Sequence, residues 1–296
     1  MEDKLLTQVF IQRIDTDNEK LASETGAFVR SKLREISFAR KILNPQYITA
    51  AELQRSTLND QLVKIVDIEP DSAAMTLTLR GTPTTRYVTG NRFEVSFEKI
   101  SSEEFQKVEI ELLAYEMPIT EIIERNSIKD IQKQEDTAFM TLTDAAITAN
   151  AKTLTRTYAS GIQNALVDLF NILEDNSTGL NPLVCQTLLM NRNDWNKLSA
   201  TPSTIGGSPL ATEVFINGYK YPTVMGKNVV VTNKGDLVPA GVVYAFPAQE
   251  FMGKFYILND TKFYVYKKRD LISWSAEEIV GMAYGNTNSV AKLTLV

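Results

Sequence analysis

The feature of this 296-residue chain that most restricts its fold is a stretch between residues 73 and 115 in which apolar and polar residues alternate. Apolar side chains fall at every second position of residues 75–80, 93–98 and 108–112. Because successive side chains of a strand point to opposite faces, each run predicts an antiparallel strand with one face in solvent. Three such strands in succession favour an extended, hairpin-like excursion with little local core. An ordinary meander packed on a helix is the alternative.

Three other segments have the apolar spacing of α-helices. The first is a stripe over residues 28–36, which the pair Asn44-Pro45 ends. The sequence leaves open whether this segment packs on its own domain or extends as an arm. The second begins at Pro118, a residue type favoured in the first helical turn, and is predicted to end near residues 134–139. The third keeps helical spacing over residues 154–173.

The chain after residue 183 predicts short strands separated by turns. Its apolar runs are 184–190, 229–231, 242–246, 255–258 and 263–266. A polar turn is predicted at residues 259–261, between the last two runs. The alternation of Leu293 and Leu295 predicts a final strand that joins a sheet. Helices and antiparallel strands in these separate blocks indicate the α+β class.

Composition limits the chemistry that is open to the chain. It has no histidine, which excludes Ser-His-Asp and Cys-His catalytic groups and histidine-ligated zinc. Its single cysteine, Cys185, excludes an intrachain disulfide and a thiolate metal cluster, and its apolar neighbours predict a buried side chain. The sequence contains no glycine-rich phosphate loop and no G-x-S-x-G elbow. Catalysis by carboxylates with magnesium remains open.

The charge balance argues against tight binding of nucleic acid. The formal net charge is -5, whereas a protein that neutralises many phosphates needs a cationic excess or a dense basic patch. The densest basic run, residues 267–269, is followed directly by Asp270 and predicts a strand end or turn. Residues 1–4 lack the layout of a signal peptide, and no apolar run approaches the ~20 residues that span a bilayer. These features predict a reducing cytoplasm.

Three adjacent acidic pairs are the remaining candidates for a metal or acid–base site: Glu103-Glu104, Glu135-Asp136 and Glu277-Glu278. Adjacent side chains on one element point in different directions, so each pair is a poor chelate. We interpret the first and third pairs as solvated charge or as members of an ion pair. We therefore predict no catalytic, cofactor-binding or metal-binding residue, and no cofactor.

Two stretches resemble sequences of the Hong Kong 97 type of capsid protein. Residues 128–139, with the Glu135-Asp136 pair and Phe139 three positions after it, are similar to the end of the long spine helix of that family. Residues 188–198 are similar to the family's hydrophobic strand followed by Asn-Pro-x-Asp-Trp, with Arg192 or Asn193 where proline is usual. The spacing of about 50 residues between the two stretches also fits the family.

The resemblance continues towards the C-terminus. Residues 221–232 look like the strand that leads into the family's central sheet, and residues 253–258 and 274–278 resemble its closing segments. Each motif alone is short, but their order and spacing agree with the family over most of the chain.

The resemblance implies an α+β Hong Kong 97-like capsid fold with four parts. Residues 1–45 would form an N-terminal arm. Residues 46–150 would form the extended β-hairpin loop (E-loop) and a peripheral domain with a long spine helix. Residues 151–262 would form an axial domain with a central sheet, and residues 263–296 would return to the peripheral domain.

The function implied is that of a major capsid (head) protein of a tailed bacteriophage, which self-assembles into an icosahedral shell around double-stranded DNA and is not an enzyme. Its expected partners are other copies of itself, in hexamers and pentamers, and scaffolding, portal and decoration proteins. Only non-specific proximity to the packaged DNA is expected, and no contact with a membrane. Its expected location is the virion, after assembly in the host cytoplasm. The alternatives are an encapsulin-like compartment, a tail or adaptor virion protein, and a magnesium-dependent carboxylate hydrolase.

Some members of the family cross-link their subunits through a lysine and an asparagine. Lys64 and Lys99 flank the expected loop, and Asn286 and Asn288 lie near the C-terminus. Nothing in the sequence selects a pair among them, so we predict no covalent cross-link.

Overall fold

The computed structural model describes residues 37–56, 61–68, 75–77, 79–83, 85, 87, 90, 92–114, 119–158, 161–174, 183–200 and 223–296. The predicted helix over residues 28–36 and the predicted arm up to residue 36 therefore lie outside the described residues. No described helix combines the length and the hydropathy that crossing a lipid bilayer requires.

The described helices differ greatly in length. They are α1 (Ala39–Ile42), α2 (Glu109–Ala114), α3 (Ile119–Asn150), α4 (Ile162–Glu174) and α5 (Arg192–Ala200). The described strands fall into an early group of short ones and a late group that contains the two longest. They are β1 (Gln46–Tyr47), β2 (Gln54–Arg55), β3 (Leu62–Asp67), β4 (Arg92–Ser96), β5 (Glu98–Ser101), β6 (Phe105–Val108), β7 (Thr153–Arg156), β8 (Cys185–Asn191), β9 (Thr223–Val224), β10 (Lys227–Thr232), β11 (Val242–Pro247), β12 (Gly253–Lys268), β13 (Leu271–Tyr284) and β14 (Ala291–Leu295).

These strands form three sheets. In the hairpin sheet, β12 and β13 pair antiparallel, β1 lies parallel to the start of β12, and β5 and β6 both pair antiparallel with β13. The six-stranded sheet has the order β7-β14-β11-β8-β10-β9, with parallel pairs at β7–β14 and β8–β10. The loop sheet is antiparallel and has the order β2-β3-β4.

Two main cores hold the molecule together. The larger lies between α1, α3, the hairpin sheet and one side of the six-stranded sheet, with Phe139, Phe246 and Trp274 among its fully buried side chains. The second lies between α4 and the six-stranded sheet, where the apolar stripe of α4 packs on Leu188 and Leu293. The stripe recurs every three to four residues, as an amphipathic helix requires.

Of the three alternating runs between residues 73 and 115 that were predicted as strands, one forms a strand along most of its length. The run at 93–98 is confirmed as β4. Residues 75–77 are described without a strand assignment, and residues 79–80 lie in a turn. The run at 108–112 was wrongly predicted as a strand, since β6 ends at Val108 and α2 begins at the next residue. Leu112, which the alternation would place in a strand, lies in α2 and is buried there.

The predicted end of α3 is wrong, because the helix continues through the acidic pair to Asn150. Beyond residue 139 it keeps a buried face that includes Met140, Thr143 and Ile147. This spacing of three to four residues holds the helix against the core. The polar run at residues 134–137 looks like a helix end in the sequence. In the structure its acidic pair is buried against other parts of the chain.

The third predicted helix begins later than its periodicity indicates. Leu154, the first apolar residue of the pattern, lies in β7 and pairs in register with Leu293 of β14. The helix itself begins at Ile162, after Gly161, whose φ of 85° favours glycine. A parallel partner almost 140 residues away therefore decides the structure at residue 154.

The predicted turn at residues 259–261 is also wrong, because β12 runs without interruption from Gly253 to Lys268. The polar residues produce irregular pairing there, with register shifts on both sides of Asn259. A local irregularity of this kind absorbs extra residues without ending a strand. The chain turns at residues 269–270, where Arg269 has a φ of 60°. The prediction of a strand end or turn for residues 267–269 is thereby confirmed.

Candidate functional site

A cluster of buried charges joins α1 to the rest of the molecule. Arg40 on α1 is 5% exposed, and Glu135 on α3 and Glu278 on β13 are 0% exposed. The guanidinium of Arg40 donates through Nε to both carboxylate oxygens of Glu135, at 3.1 Å each, and through Nη2 to Oε1 at 2.6 Å. The same Nη2 also donates to Glu278. The planar guanidinium suits such forked contacts, so α1 is held in a defined orientation.

The second member of the acidic pair, Asp136, binds the chain just before α1. Its Oδ1 accepts hydrogen bonds from the hydroxyl of Ser37 at 2.8 Å and from the backbone N–H of Ala39 at 3.0 Å. Its Oδ2 accepts from Nζ of Lys234 at 2.6 Å. Adjacent residues on a helix point in different directions, and here each of the two carboxylates takes its own set of donors.

Burial decides the protonation of the two glutamates. Burial raises the pKa of Glu135, although the Arg40 charge opposes the shift. Burial also raises the pKa of Glu278 to about 8, helped by the nearby charge of Glu135 and opposed by Arg40. Burial alone would lower the pKa of Arg40, but the charges of Glu135 and Glu278 raise it on balance. Arg40 therefore stays charged, and burial favours the protonated form of both glutamates.

Both members of the pair Glu277-Glu278 form ion pairs, which agrees with the interpretation as solvated charge or an ion pair, but the second member is buried. Glu277 forms an ion pair with Lys99 on the neighbouring strand, with Nζ and Oε1 2.6 Å apart. Glu278 points to the other face of β13 and is buried, where Thr261 also donates to its carboxylate at 3.2 Å. The alternation of faces along a strand could have indicated this burial, because Ala276 and Val280 lie on the same face.

The motif that resembles Asn-Pro-x-Asp-Trp serves as a local clamp. The side chain of Asn191 accepts from the backbone N–H of Asn193 at 3.0 Å and donates to the carbonyl of Val238 at 2.8 Å. Asp194 is 2% exposed and accepts from the hydroxyl of Tyr158 at 2.9 Å and from the N–H of Gly241 at 2.8 Å. The motif thus ties the end of β8 and α5 to the turn before β11.

Substitution of Asp194 by alanine is expected to destabilise the subunit by about 1–3 kcal/mol, because the buried N–H of Gly241 would lose its acceptor. Urea unfolding followed by circular dichroism measures this change. The Asp194→Asn variant is the matched control, since its amide oxygen still accepts one hydrogen bond, and it should lose less. Equal stability of the alanine variant and the wild type would contradict the clamp.

The loop sheet carries apolar side chains that stay in contact with solvent. Leu79 and Tyr87 in the loop between β3 and β4 are 108% and 90% exposed, and Leu62 at the start of β3 is more than half exposed. Isolated exposed apolar residues are common on protein surfaces, but a large aromatic and a leucine on one loop favour a contact surface.

The lysines and asparagines considered for a cross-link lie in separate places. Lys64 on β3 pairs with Glu52 at 2.9 Å, and Lys99 on β5 pairs with Glu277. The side chain of Asn286 accepts from the N–H of Asn288, which caps a short 3₁₀ turn. The absence of a covalent cross-link stays a prediction. Among the described residues, no group of three or more acidic or cysteine side chains is placed to hold a metal ion.

No family model matches the sequence, and no curated protein matches it either. Solved structures do match the fold. The structure of Microbacterium phage Oxtober96 has a TM-score of 0.61 at 14% identity, over 88% of this chain and 91% of that one. The mature capsid of bacteriophage PhiM1 gives a TM-score of 0.61 at 8% identity, over 88% of this chain and 87% of that one. The chain has the Hong Kong 97-type capsid fold.

The acidic pair that suggested the resemblance lies in the middle of α3, which runs from Ile119 to Asn150, and not at the end of a helix. The virus-like particle from Pyrococcus furiosus shares the fold with a TM-score of 0.53 at 15% identity, over 91% of this chain and 96% of that one. The capsid fold is therefore shared by phage capsids and by this particle.

Proposed function

We propose that this chain is the major capsid protein of a tailed bacteriophage, which assembles with copies of itself into an icosahedral shell around double-stranded DNA. The observation that carries the proposal is the match of almost the whole chain to almost whole phage capsid subunits, at 88% and 87% coverage for PhiM1. The match extends over most of both chains. The proposal includes a structural, non-enzymatic role.

The exposed loop supports contact with a second copy of the chain. Leu79 and Tyr87 present their apolar surfaces to solvent in the single subunit. Complete burial of an aliphatic or aromatic side chain contributes about 1.5–3 kcal/mol. A neighbouring copy in a ring supplies such cover to every loop through the same heterologous contact. We therefore assign the loop to the interface between subunits.

The remaining parts of the proposal follow from the function. Scaffolding, portal and decoration proteins would be the other partners, and assembly would take place in the host cytoplasm. The division into an arm at 1–45, a loop and peripheral domain at 46–150, an axial domain at 151–262 and a return at 263–296 stays a prediction. The net charge of -5 suits a container, because packaged DNA then slides along the wall with little adhesion. Tight, salt-sensitive binding of subunits to duplex DNA would contradict that charge argument.

Electron microscopy of the overexpressed full chain tests the function. We expect closed icosahedral shells. Small rings without shells would favour a tail or adaptor protein, and a monodisperse monomer under all assembly conditions would overturn the proposal. DNA packaged in particles from infected cells separates a phage capsid from a compartment.

A compartment shell is the second candidate, because the Pyrococcus furiosus particle shares the fold over 91% of this chain. It predicts closed particles that contain a cargo protein and no genome. Mass spectrometry and nuclease-protected nucleic acid content of purified particles distinguish the two outcomes.

The double substitution of Leu79→Asp and Tyr87→Asp is expected to abolish shells without unfolding the subunit. Both side chains are exposed, so the subunit itself loses no core contacts. In an apolar interface, however, burial of two carboxylates without partners costs on the order of several kcal/mol. Particle yield by sucrose gradient and circular dichroism of the subunit measure the two effects. Thr82→Asp, on the same loop and also exposed, is the control and should assemble. Wild-type yield from the double variant would exclude the loop from the interface.

A further inference from the structure

The attachment of α1 depends on acidic groups that come from distant parts of the chain. Ser37, Ala39 and Arg40 all donate to the pair Glu135-Asp136 on α3. Arg40 also reaches Glu278 on β13. The apolar contacts of this short segment are made by Phe38, Ile42 and Leu43, all of which are buried in the larger core. A helix of four residues has little stability of its own, so these tertiary contacts hold it in place.

We propose that the buried Arg40 cluster is a proton-controlled clasp, which holds residues 37–43 against α3 and β13 and loosens when Glu278 loses its proton. The clasp acts within one subunit. The inference therefore goes beyond the proposed function and does not depend on it.

Among the described residues, the fully buried charges of the cluster are unequal in number. Glu135 on α3 and Glu278 on β13 both contact the guanidinium of Arg40, whereas Asp136 has its own cation in Lys234, which follows β10. Asp260 on β12 is only partly buried and acts on the guanidinium through its charge. If Glu135 and Glu278 were both ionised, two buried carboxylates would share one cation, an excess of one negative charge. An uncompensated buried charge is costly, and an arginine does not give up its proton, so a carboxyl group retains one instead.

We assign the retained proton to Glu278, because Glu135 accepts three hydrogen bonds from the guanidinium whereas Glu278 accepts one. Its carboxyl is completely buried, and burial with the nearby Glu135 charge raises its pKa to about 8. Lys234 forms its ion pair with Asp136, which leaves Arg40 as the cation that Glu135 and Glu278 share. Ionisation of Glu278 therefore adds a charge that the cluster does not neutralise.

The sign of the pH dependence follows from the raised pKa. When residues 37–43 detach, water reaches the cluster and the pKa of Glu278 falls towards its ordinary value near 4.5. The closed state therefore binds more protons than the open state between these two values. The closed state of the clasp is therefore most stable at the acidic end of this pH range, and its stability falls as the pH rises through the range. Above about 8 no further weakening is expected, because Glu278 is then ionised in both states.

Hydrogen exchange of the full chain between pH 5.5 and 8.5 tests the clasp. Protection factors of peptides covering residues 37–43, corrected for the intrinsic exchange rate, should fall by about tenfold per pH unit up to pH 7.5 in the wild type and then level off. Light scattering confirms that the assembly state is constant across the series. Peptides from β8 and β11 report whether the rest of the fold stays intact.

Three variants sharpen the test. Glu278→Gln mimics the protonated side chain and should abolish most of the slope, while Glu277→Gln, on the other face of the same strand, should keep it. Thr261→Val removes a hydrogen bond that stabilises the charged form of Glu278, so the pH at which protection levels off should rise. A wild-type protection factor that stays flat or rises with pH, or a Glu278→Gln variant with the wild-type slope, would overturn the proposal.

Discussion

Replacement of Arg40 by methionine is expected to lower the free energy of unfolding by about 3–5 kcal/mol, because it removes one partner of a buried ion cluster and leaves the others uncompensated. Arg40 is 5% exposed, and its acidic partners Glu135 and Glu278 are fully buried. Methionine retains most of the apolar volume of the arginine stem, so the effect reports the charge and not a cavity. Urea denaturation of the variant at pH 7 gives the difference in free energy.

The control for this prediction is Lys41→Met, which removes the same charge from the next residue of α1. Lys41 is exposed, so its loss should change stability by less than about 0.5 kcal/mol. The triple variant Arg40→Met, Glu135→Leu, Glu278→Met should recover most of the stability, since a buried ion cluster replaced by apolar side chains is often neutral. An Arg40→Met variant within about 1 kcal/mol of the wild type would contradict this prediction.

Replacement of Phe139 by alanine is expected to cost about 3–5 kcal/mol, through lost burial and the cavity left behind. The Phe139 ring is 1% exposed and lies where several elements meet. Its centroid is 6.2 Å from that of Phe38 beside α1, 5.8 Å from Phe246 on β11 and 6.2 Å from Tyr284 on β13. Edge and tilted contacts of this kind add to the energy of burial. Guanidinium unfolding, with the denaturant slope compared between variants, measures the loss.

Two variants bracket the Phe139 result. Phe139→Leu keeps most of the volume and should cost about 1 kcal/mol. Val167→Ala on α4 truncates a side chain that is 42% exposed and should cost less than about 0.5 kcal/mol. If Phe139→Ala lowers the free energy of unfolding no more than Phe139→Leu does, the ring does not stabilise the contact between α1, α3 and the two sheets. A large loss with an unchanged denaturant slope indicates that these elements unfold together.

Elements with local signals were predicted well. Strand β11 and the final strand β14 follow from apolar runs and alternation in their own residues. The buried state of Cys185 follows from its apolar neighbours, and in the structure burial raises the pKa of its thiol to about 12. The apolar stripe of α4 likewise predicted which face of the helix is buried. In each case a few neighbouring residues contain the whole pattern.

Elements that depend on distant partners were predicted poorly. The residues of β7 continue a helical pattern but pair with β14, and β12 passes through a polar run because β13 pairs with it on both sides of that run. The acidic pair on α3 suggested a helix end, although its partners Ser37 and Arg40 lie more than 90 positions earlier in the chain. The resemblance of short motifs in their order predicted the fold correctly even where the local assignments failed.

By itself the sequence determined the α+β class, the lack of histidine-based chemistry and the apolar faces of the main helices and strands, because these depend on residue types and their spacing. The tertiary structure decided that Glu135 and Glu278 are buried and share Arg40 as their cation. Arg40 is separated from Glu135 by 95 positions and from Glu278 by 238. Spacing along a chain contains no information about which distant groups share a dry environment, and that environment sets the pKa of Glu278.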